Sequence, residues 1–210
     1  MSKTVFITGT DTAVGKTTIS VLLLKKLNRL GYKTFAMKPL ASGCIRDKNN
    51  NLINDDALSL QAAASIFKPY AVVNPIALKE PIAPHLAAKL MGKRLSVSLL
   101  TETITAHLQP EADINLIEGV GGWSVPLNEK ELFSDVISNL KIPVILVVAI
   151  KLGCLNHAIL THHNILQMKV PLLGWVANCI EPDTLASSEN IATLKQWIDA
   201  PCLGVVPFRT

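Results

Sequence analysis

Hydrophobic positions along the chain follow two patterns that replace each other repeatedly. Residues 3–9 and 143–150 are short, nearly continuous apolar runs, which are typical of strands buried on both faces of a sheet. Residues 16–31 and 154–168 instead repeat apolar side chains at the spacing of an amphipathic helix. The chain therefore alternates between predicted strands and predicted helices.

The remaining segments extend this alternation. Further strands are predicted at residues 33–40, 114–118 (running into a glycine-rich turn at 119–123), 171–179 and 202–207, and further helices at residues 56–67, 84–92, 96–109, 131–140 and 187–198. The proline-rich segment 71–84 is predicted to be a loop with little regular structure, and the polar segment 46–55 to be a mobile loop rather than a linker between domains. The alternation predicts an α/β fold with a doubly wound, mainly parallel sheet, in a single domain over residues 1–210.

Composition narrows the class of protein. The formal net charge is +4 and the basic residues are scattered, so no segment has the charge density of a nucleic-acid-binding arm. The longest apolar run, residues 142–150, is far shorter than the roughly 20 residues that a membrane-spanning helix needs. The N-terminus lacks a signal peptide's apolar region, and the four cysteines have no paired spacing. We therefore predict a cytoplasmic protein with free thiols that binds neither nucleic acid nor membranes.

A candidate phosphate-binding loop follows the first predicted strand. Its sequence, GTDTAVGKTT at residues 9–18, has five residues between Gly9 and Gly15, whereas the usual loop has four. Backbone N–H groups at the start of the next helix favour an anion. Lys16 can supply charge to the outer phosphates, and Thr17 can supply a hydroxyl ligand to Mg²⁺. The additional residue is expected to widen the loop without removing these groups, so the stretch predicts a nucleotide site.

Other charged and polar residues stand at the ends of predicted strands, where ligands bind in open α/β sheets. Glu118 ends an apolar strand and is a candidate Mg²⁺ ligand, or else a solvated acid. Asp56 is either a second Mg²⁺ ligand or the N-cap of a helix. Lys38 follows the second strand and could stabilise transferring charge, although a surface lysine is the simpler interpretation. Residues 153–156 begin another helix and form a second candidate anion site.

Several longer blocks occur in one order along most of the chain: TGTDTAVGKT, KPLASG, NDDALSLQ, LIEGVGGWSVPL, PVILVVAIKLGCLNHAILT and GWVANCIEP. Together they resemble the dethiobiotin synthetases, whose phosphate loop has the same five-residue spacing. The resemblance implies a P-loop NTPase-like fold and a homodimeric, Mg²⁺-dependent enzyme of biotin biosynthesis. Its substrates would be 7,8-diaminopelargonate, CO₂ (or bicarbonate) and ATP.

The resemblance also implies a role for each matching position. Lys16 and Lys38 would be catalytic, with Lys16 on the phosphates and Lys38 near the carbamate and the γ-phosphate. Asn178 would read the edge of the adenine base. Mg²⁺ would be bound by Thr17, Asp56 and Glu118. The nucleotide would be bound by Ala13, Val14, Gly15, Lys16, Thr17, Thr18, Asp56, Glu118, Gly119, Val120, Gly121, Asn178, Cys179, Pro207, Phe208 and Arg209.

The diamine would be bound by residues from two places in the sequence. Thr12 and Ser42 would line the diamine site itself. The substrate carboxylate would be held at the helix start formed by Gly153, Cys154, Leu155 and Asn156, and the resemblance implies that this helix start reaches the substrate across the dimer interface.

Other functions fit parts of the same sequence. The main alternative is a partition-type regulatory ATPase of the same fold, which typically carries an extra lysine early in a variant phosphate loop. Residues 10–12 contain no lysine, and the first one in the loop is Lys16. Two further alternatives are an amidating ligase of cobalamin synthesis, which usually has an added glutaminase domain, and a passive nucleotide-binding module, in which Lys38 would have no role.

Overall fold

The centre of the structure is a sheet of six strands in which all neighbours are parallel. The computed structural model describes residues 2–182 and 185–208. Its strands are β1 (Lys3–Gly9), β2 (Thr34–Met37), β3 (Leu40–Ala41), β4 (Ile45–Arg46), β5 (Leu52–Ile53), β6 (Ile76–Ala77), β7 (Ile114–Glu118), β8 (Val144–Ile150), β9 (Leu172–Cys179) and β10 (Cys202–Val206). The large sheet has the order β10-β9-β8-β1-β7-β2, and two small sheets pair β3 with β6 and β4 with β5.

Helices cover both faces of the large sheet. They are α1 (Lys16–Arg29), α2 (Asp55–Ala63), α3 (Tyr70–Val73), α4 (Pro84–Leu90), α5 (Val97–His107), α6 (Phe133–Leu140), α7 (Cys154–Gln167) and α8 (Ser187–Trp197). Because side chains alternate along a strand, Ile7 of β1 packs with α1 and α2, whereas Phe6 packs with α5 and α6 on the opposite face. Trp175 of β9 packs on that opposite face with α7 and α8. The predicted doubly wound, single-domain α/β fold is confirmed.

The strand order brings three chain segments to one edge of the sheet. β1 lies between β7 and β8, and β7 separates β1 from β2. Because all three of β1, β2 and β7 are parallel, the residues that follow Gly9, Met37 and Glu118 meet at the carboxyl edge. This is the edge at which open α/β sheets bind ligands.

Two segments that were predicted to be irregular contain regular structure. Segment 71–84 includes most of α3 and all of β6, and it supports the end of β2: Asn74 Nδ2 donates to the Lys38 carbonyl at 2.6 Å. Segment 46–55 belongs largely to the β4–β5 hairpin, where the Asp47 carboxylate accepts the N–H groups of residues 49 and 51. The regular elements in both segments are short, and they form because the hydrogen-bond partners come from other parts of the fold or from the turn itself. The mobility of segment 46–55 stays a prediction.

Two regular segments are shorter than predicted. The strand predicted at 33–40 ends at Met37, and β3 begins only at Leu40. The helix predicted at 56–67 ends at Ala63, because the N–H of Ile66 donates to the Thr34 carbonyl at 2.9 Å. Elsewhere the predicted strands and helices are confirmed to within a few residues.

The described residues contain neither a membrane-spanning helix nor a disulfide bond. None of the helices described is long and apolar enough to cross a membrane. All four cysteines are free; Cys44 and Cys154 are buried, and the other two are half-buried. The prediction of free thiols is therefore confirmed.

One buried histidine lies on the inner side of α7. His162 is 2% exposed, and neither of its ring nitrogens has a hydrogen-bond partner within the described ranges. Burial lowers the pKa of the imidazole, the neighbouring His163 lowers it further, and Asp199 opposes the shift. Because a buried imidazole without partners resists protonation, this part of the core favours the neutral ring.

We expect the free energy of unfolding to decrease as the pH falls below about 6.5. The pKa of His162 is lower in the folded protein, so the unfolded chain takes up the proton first and stability is lost with falling pH. His162→Leu should reduce this decrease, as measured by urea denaturation between about pH 5 and pH 8. His157→Gln, an exposed change on the same helix, should leave it unchanged. An identical pH dependence in His162→Leu and wild type would contradict the prediction.

Candidate active site

The loop between β1 and α1 is shaped to receive an anion. Gly15 is the N-cap of α1 with φ of 87°, and Ala13 is also left-handed with φ of 57°. No side chain caps this end of α1, and its first turn has no acidic residue. The first backbone N–H groups of the helix are therefore directed at a site that favours negative charge.

A cavity of about 300 Å³ lies directly in front of this loop. It brings together the phosphate loop, the end of β2, the start of α2 and the turn after β7. Its lining residues are Thr12, Ala13, Gly15, Lys16, Thr17, Thr18, Lys38, Ser42, Asn54, Asp56, Val120 and Gly121. All of these except Asn54 were predicted as site residues. Asn54 is the N-cap of α2, accepting the N–H of Ala57 at 3.2 Å, and an asparagine just before a helix is the signal that could have identified it.

A buried carboxylate lies behind two of the residues that line the cavity, Thr17 and Lys38. Glu118 is 0% exposed at the end of β7. Its Oε1 accepts hydrogen bonds from Thr17 Oγ1 and Lys38 Nζ, both at 2.8 Å, and its Oε2 accepts one from Ser20 Oγ at 2.7 Å. The interpretation of Glu118 as a solvated acid was therefore wrong. Ser20 was not identified from the sequence, where its only signal is a polar residue on the apolar face of α1.

Lys38 is also buried, with 4% of its surface exposed. Its Nζ lies 2.8 Å from Glu118 Oε1 and 3.2 Å from Asp56 Oδ2, and it donates to the Gly119 carbonyl at 3.3 Å. Burial opposes the charge, but the two carboxylates outweigh it and raise the pKa of Lys38. Lys38 is thus a buried cation at the site, not a surface lysine. Asp56 lies inside the first turn of α2, whose N-cap is Asn54, so it is not a helix cap.

The surroundings of the second lysine of the site, Lys16, lower its pKa instead of raising it. Lys16 is buried, and its Nζ donates to the carbonyls of Asp11, at 3.0 Å, and Gly121. Burial, and then the charge of Lys38, lower the pKa of Lys16 to about 8. Its ammonium group is held by backbone carbonyls at the mouth of the loop, where an incoming phosphate would supply the missing negative charge.

The oxygen atoms around the cavity fit a hard divalent cation. Thr17 Oγ1 contacts Glu118 Oε1, and the carboxylates of Glu118 and Asp56 lie within reach of the same cationic nitrogen. An all-oxygen set with one or two carboxylates suits Mg²⁺, which takes its other ligands from phosphates and water. Among residues 2–182 and 185–208 no group of three or more His, Cys, Asp or Glu side chains could hold a metal by itself.

The predicted base-binding residues lie at the same edge of the sheet but outside the cavity. Asn178 ends the buried part of β9, and its Nδ2 donates to the carbonyl of Val14 at 2.8 Å. It therefore supports the phosphate loop in addition to any contact with a base. Cys179 is half-buried beside it, and Pro207 and Phe208 are exposed after β10. Arg209 lies outside the described residues.

The residues of the predicted carboxylate-binding helix start do not line the cavity either. Gly153 is the left-handed N-cap of α7, Cys154 is buried and Asn156 is exposed. Leu152, just before them, is 98% exposed. The fold of one chain therefore does not bring Gly153, Cys154, Leu155 and Asn156 to the cavity that holds the other predicted residues.

Comparison with solved structures defines the class of protein. The septum site-determining protein MinD from Pyrococcus horikoshii, solved with Mg-ADP, matches with a TM-score of 0.59 and 18% identity, over 100% of this chain and 82% of that chain. The signal recognition particle 54 kDa protein from Aeropyrum pernix, solved with GDP, matches with a TM-score of 0.60 and 15% identity, over 100% and 42%. At these identities the likeness concerns the fold alone. Together with the loop, it defines a P-loop NTPase fold.

Sequence comparison identifies the family. A family profile described as "AAA domain" matches residues 3–210. The ATP-dependent dethiobiotin synthetase BioD of Pseudomonas aeruginosa (strain UCBPP-PA14) is 48% identical over 202 residues, covering 96% of this chain and 88% of that protein. The BioD 1 protein of Salmonella typhi is 43% identical over 208 residues, covering 99% and 90%. The chain belongs to the dethiobiotin synthetase family, as the sequence blocks predicted.

We expect Gly15→Ala to weaken ADP binding at least about 10-fold, because a Cβ at this position would overlap Asn178 Nδ2 in a left-handed backbone. Gly31→Ala is a matched control: Gly31 has the same φ of 87° but nothing within 4 Å of an added Cβ. It should cost about 1 kcal/mol of stability and leave binding unchanged. Calorimetric titration with Mg-ADP and urea denaturation measure the two effects. Equal ADP affinity in wild type and Gly15→Ala would show that the loop does not bind the phosphates.

Proposed function

We propose that this protein closes the ureido ring of dethiobiotin from 7,8-diaminopelargonate, CO₂ and ATP in the cytoplasm, with Mg²⁺ bound at the site. The family relationship supports the reaction. The observation that carries the proposal is the position of the Lys38 ammonium, which lies between the carboxylates of Glu118 and Asp56 in the cavity in front of the phosphate loop. Such a group can neutralise charge on a transferring phosphoryl group.

The reaction requires activation of a poor leaving group. One amine of the substrate adds to CO₂ and loses a proton, which gives a carbamate. A carbamate oxygen attacks the γ-phosphorus of ATP, so that ADP leaves and a carbamic–phosphoric anhydride forms. The second amine then attacks the carbonyl carbon and expels phosphate, which closes the ring. Because every intermediate is anionic, the main tasks of the protein are to position the groups and to neutralise charge.

The charges of the site support a requirement for Mg²⁺. Two lysines, Lys16 and Lys38, are balanced by two carboxylates, Asp56 and Glu118. The side chains therefore leave little net positive charge for a triphosphate, and a divalent cation would supply the difference. The oxygens of Thr17, Asp56 and Glu118 are the groups that would hold it, next to the backbone N–H groups of the loop.

The substrate side of the cavity is incomplete in one chain. Thr12 and Ser42 line it, as a diamine site would require. The helix start at residues 153–156, which would hold the substrate carboxylate, does not line this cavity, and Leu152 beside it is almost fully exposed. We infer a homodimer in which the helix start of one chain completes the site of the other. An exposed leucine next to a functional loop supports this arrangement.

The base of ATP would lie at the carboxyl ends of β9 and β10. Asn178 Nδ2 is engaged by the Val14 carbonyl, which leaves its Oδ1 as the acceptor for an adenine amino group. Cys179, Pro207 and Phe208 border the same position, and Arg209 was predicted to close it.

A regulatory partition-type ATPase is not favoured. The resemblance to MinD concerns the fold, whereas relatives that are 43–48% identical over nearly the whole chain are named dethiobiotin synthetases. Residues 10–12 also lack the early lysine of partition-type loops. The scattered basic residues support the absence of a nucleic-acid partner, and no membrane partner is proposed.

We expect phosphate release from Mg-ATP to require both 7,8-diaminopelargonate and bicarbonate, and to fall about 100- to 1,000-fold in Lys38→Met, because the variant lacks the cation that stabilises the transferring charge. Lys33→Met is the control, since Lys33 is exposed at the turn before β2. A phosphate-release assay with each substrate omitted in turn measures the effect. Release that ignores the diamine would exclude the ring closure and favour a regulatory ATPase.

Leu152→Asp should dissociate the proposed dimer and raise the KM for the diamine, because it inserts a charge into an apolar contact between chains. Leu90→Asp provides a control, since Leu90 is 70% exposed on α4, outside the proposed interface. Sedimentation velocity and diamine titrations give the two readouts. A monomeric wild-type protein with full activity would refute the shared site.

A further inference from the structure

We propose that Ser20 is a positioning residue for the Mg²⁺-nucleotide: its hydroxyl fixes the orientation of the Glu118 carboxylate. The inference deepens the proposed function, on which it rests, and concerns a residue outside the cavity. Ser20 lies on α1, one turn after Lys16, and is 0% exposed. Its Oγ donates to Glu118 Oε2 at 2.7 Å, a short bond of the kind formed to a charged acceptor.

The two oxygens of this carboxylate have different surroundings. Oε1 faces Thr17 and Lys38, both of which line the cavity. Oε2 points away from them and is paired with Ser20. A carboxylate can turn about its last bond with little resistance. The hydrogen bond from Ser20 therefore fixes the plane of the carboxylate, and with it the direction in which Oε1 presents its lone pairs beside the Thr17 hydroxyl.

Serine at this position is explained by the carboxylate and not by the helix. The buried residues of α1 are Ser20 with Lys16, Ile19 and Leu24, and a serine inside a helix is less favourable than an alanine. Glu118 is completely buried, so its Oε2 would have no water to replace a lost donor. Without Ser20 the plane of the carboxylate would turn towards the remaining donors, Thr17 and Lys38, and its lone pairs would meet the cation at a different angle.

The test compares ADP binding in Mg²⁺ with ADP binding in EDTA, by calorimetric titration of the full chain. We expect Ser20→Ala to reduce the gain in affinity that Mg²⁺ provides by about 10-fold, the low end of the range for residues that orient metal ligands. Affinity in EDTA should stay unchanged, because the phosphate loop is intact. Ser20→Thr, which keeps the hydroxyl, should retain most of the gain. Mn²⁺ binding to the ADP complex, followed by electron paramagnetic resonance, provides a second readout.

Ser134→Ala is the matched control. Ser134 is also a buried helical serine, 1% exposed on α6, but its Oγ has no partner in the part of the chain that the structure describes. This variant should keep the full Mg²⁺ gain. If Ser20→Ala does not fold, Ser20→Cys keeps the volume with a weaker donor and should show a reduced gain.

Two results would overturn the positioning role: an unchanged Mg²⁺ gain in Ser20→Ala, or an equal loss of affinity in Mg²⁺ and in EDTA, which would indicate a structural role only. Neither result depends on the diamine or on bicarbonate. A failure of this inference is therefore distinguishable from a failure of the proposed ring closure, which the phosphate-release assay measures separately.

Discussion

The buried carboxylate of Glu118 is the constraint on which the site depends. A fully desolvated charge is costly unless several donors satisfy it. Here three donors reach it from two different elements: Thr17 and Ser20 from α1, and Lys38 from the end of β2. The carboxyl ends of β7 and β2 and the start of α1 must therefore keep a fixed relative position. The three hydrogen bonds that satisfy the buried charge of Glu118 therefore fix the arrangement of the residues at this end of the cavity.

The two lysines of the site have different tasks because their surroundings differ. Lys38 is clamped by two carboxylates, which raise its pKa and hold its charge in place. Lys16 donates its ammonium hydrogen bonds to backbone carbonyls, and burial, followed by the charge of Lys38, lowers its pKa to about 8. The charge of Lys38 is already neutralised by carboxylates, whereas the charge of Lys16 is stabilised most when a phosphate binds. This difference between the two lysines suits a site in which one lysine binds an anion and the other stabilises charge on a second anion.

The segment between β2 and α4 holds the backbone of the site residues in place through hydrogen bonds. It was expected to be irregular, yet Val73 and Asn74 bond both backbone groups of Lys38. The backbone N–H groups of Gly43 and Cys44, just after the cavity residue Ser42, donate to the carbonyls of residues 80 and 78. Precise placement of a buried lysine requires a fixed backbone as well as ion pairs, so this region helps to hold Lys38 in the site.

The sequence alone determined the alternation of strands and helices, the phosphate loop and the family blocks, because periodicity and glycine spacing are local properties of the chain. It identified Lys38, Asp56 and Glu118 as candidates, but it could not exclude a surface lysine, a helix cap or a solvated acid. Those alternatives were decided by burial and by contacts between residues 38, 56 and 118, which are far apart in the chain. Ser20 and the contact of Asn178 with the loop were likewise not predictable. Their partners lie 98 and 164 residues away, and only the packing of the sheet and helices brings them together.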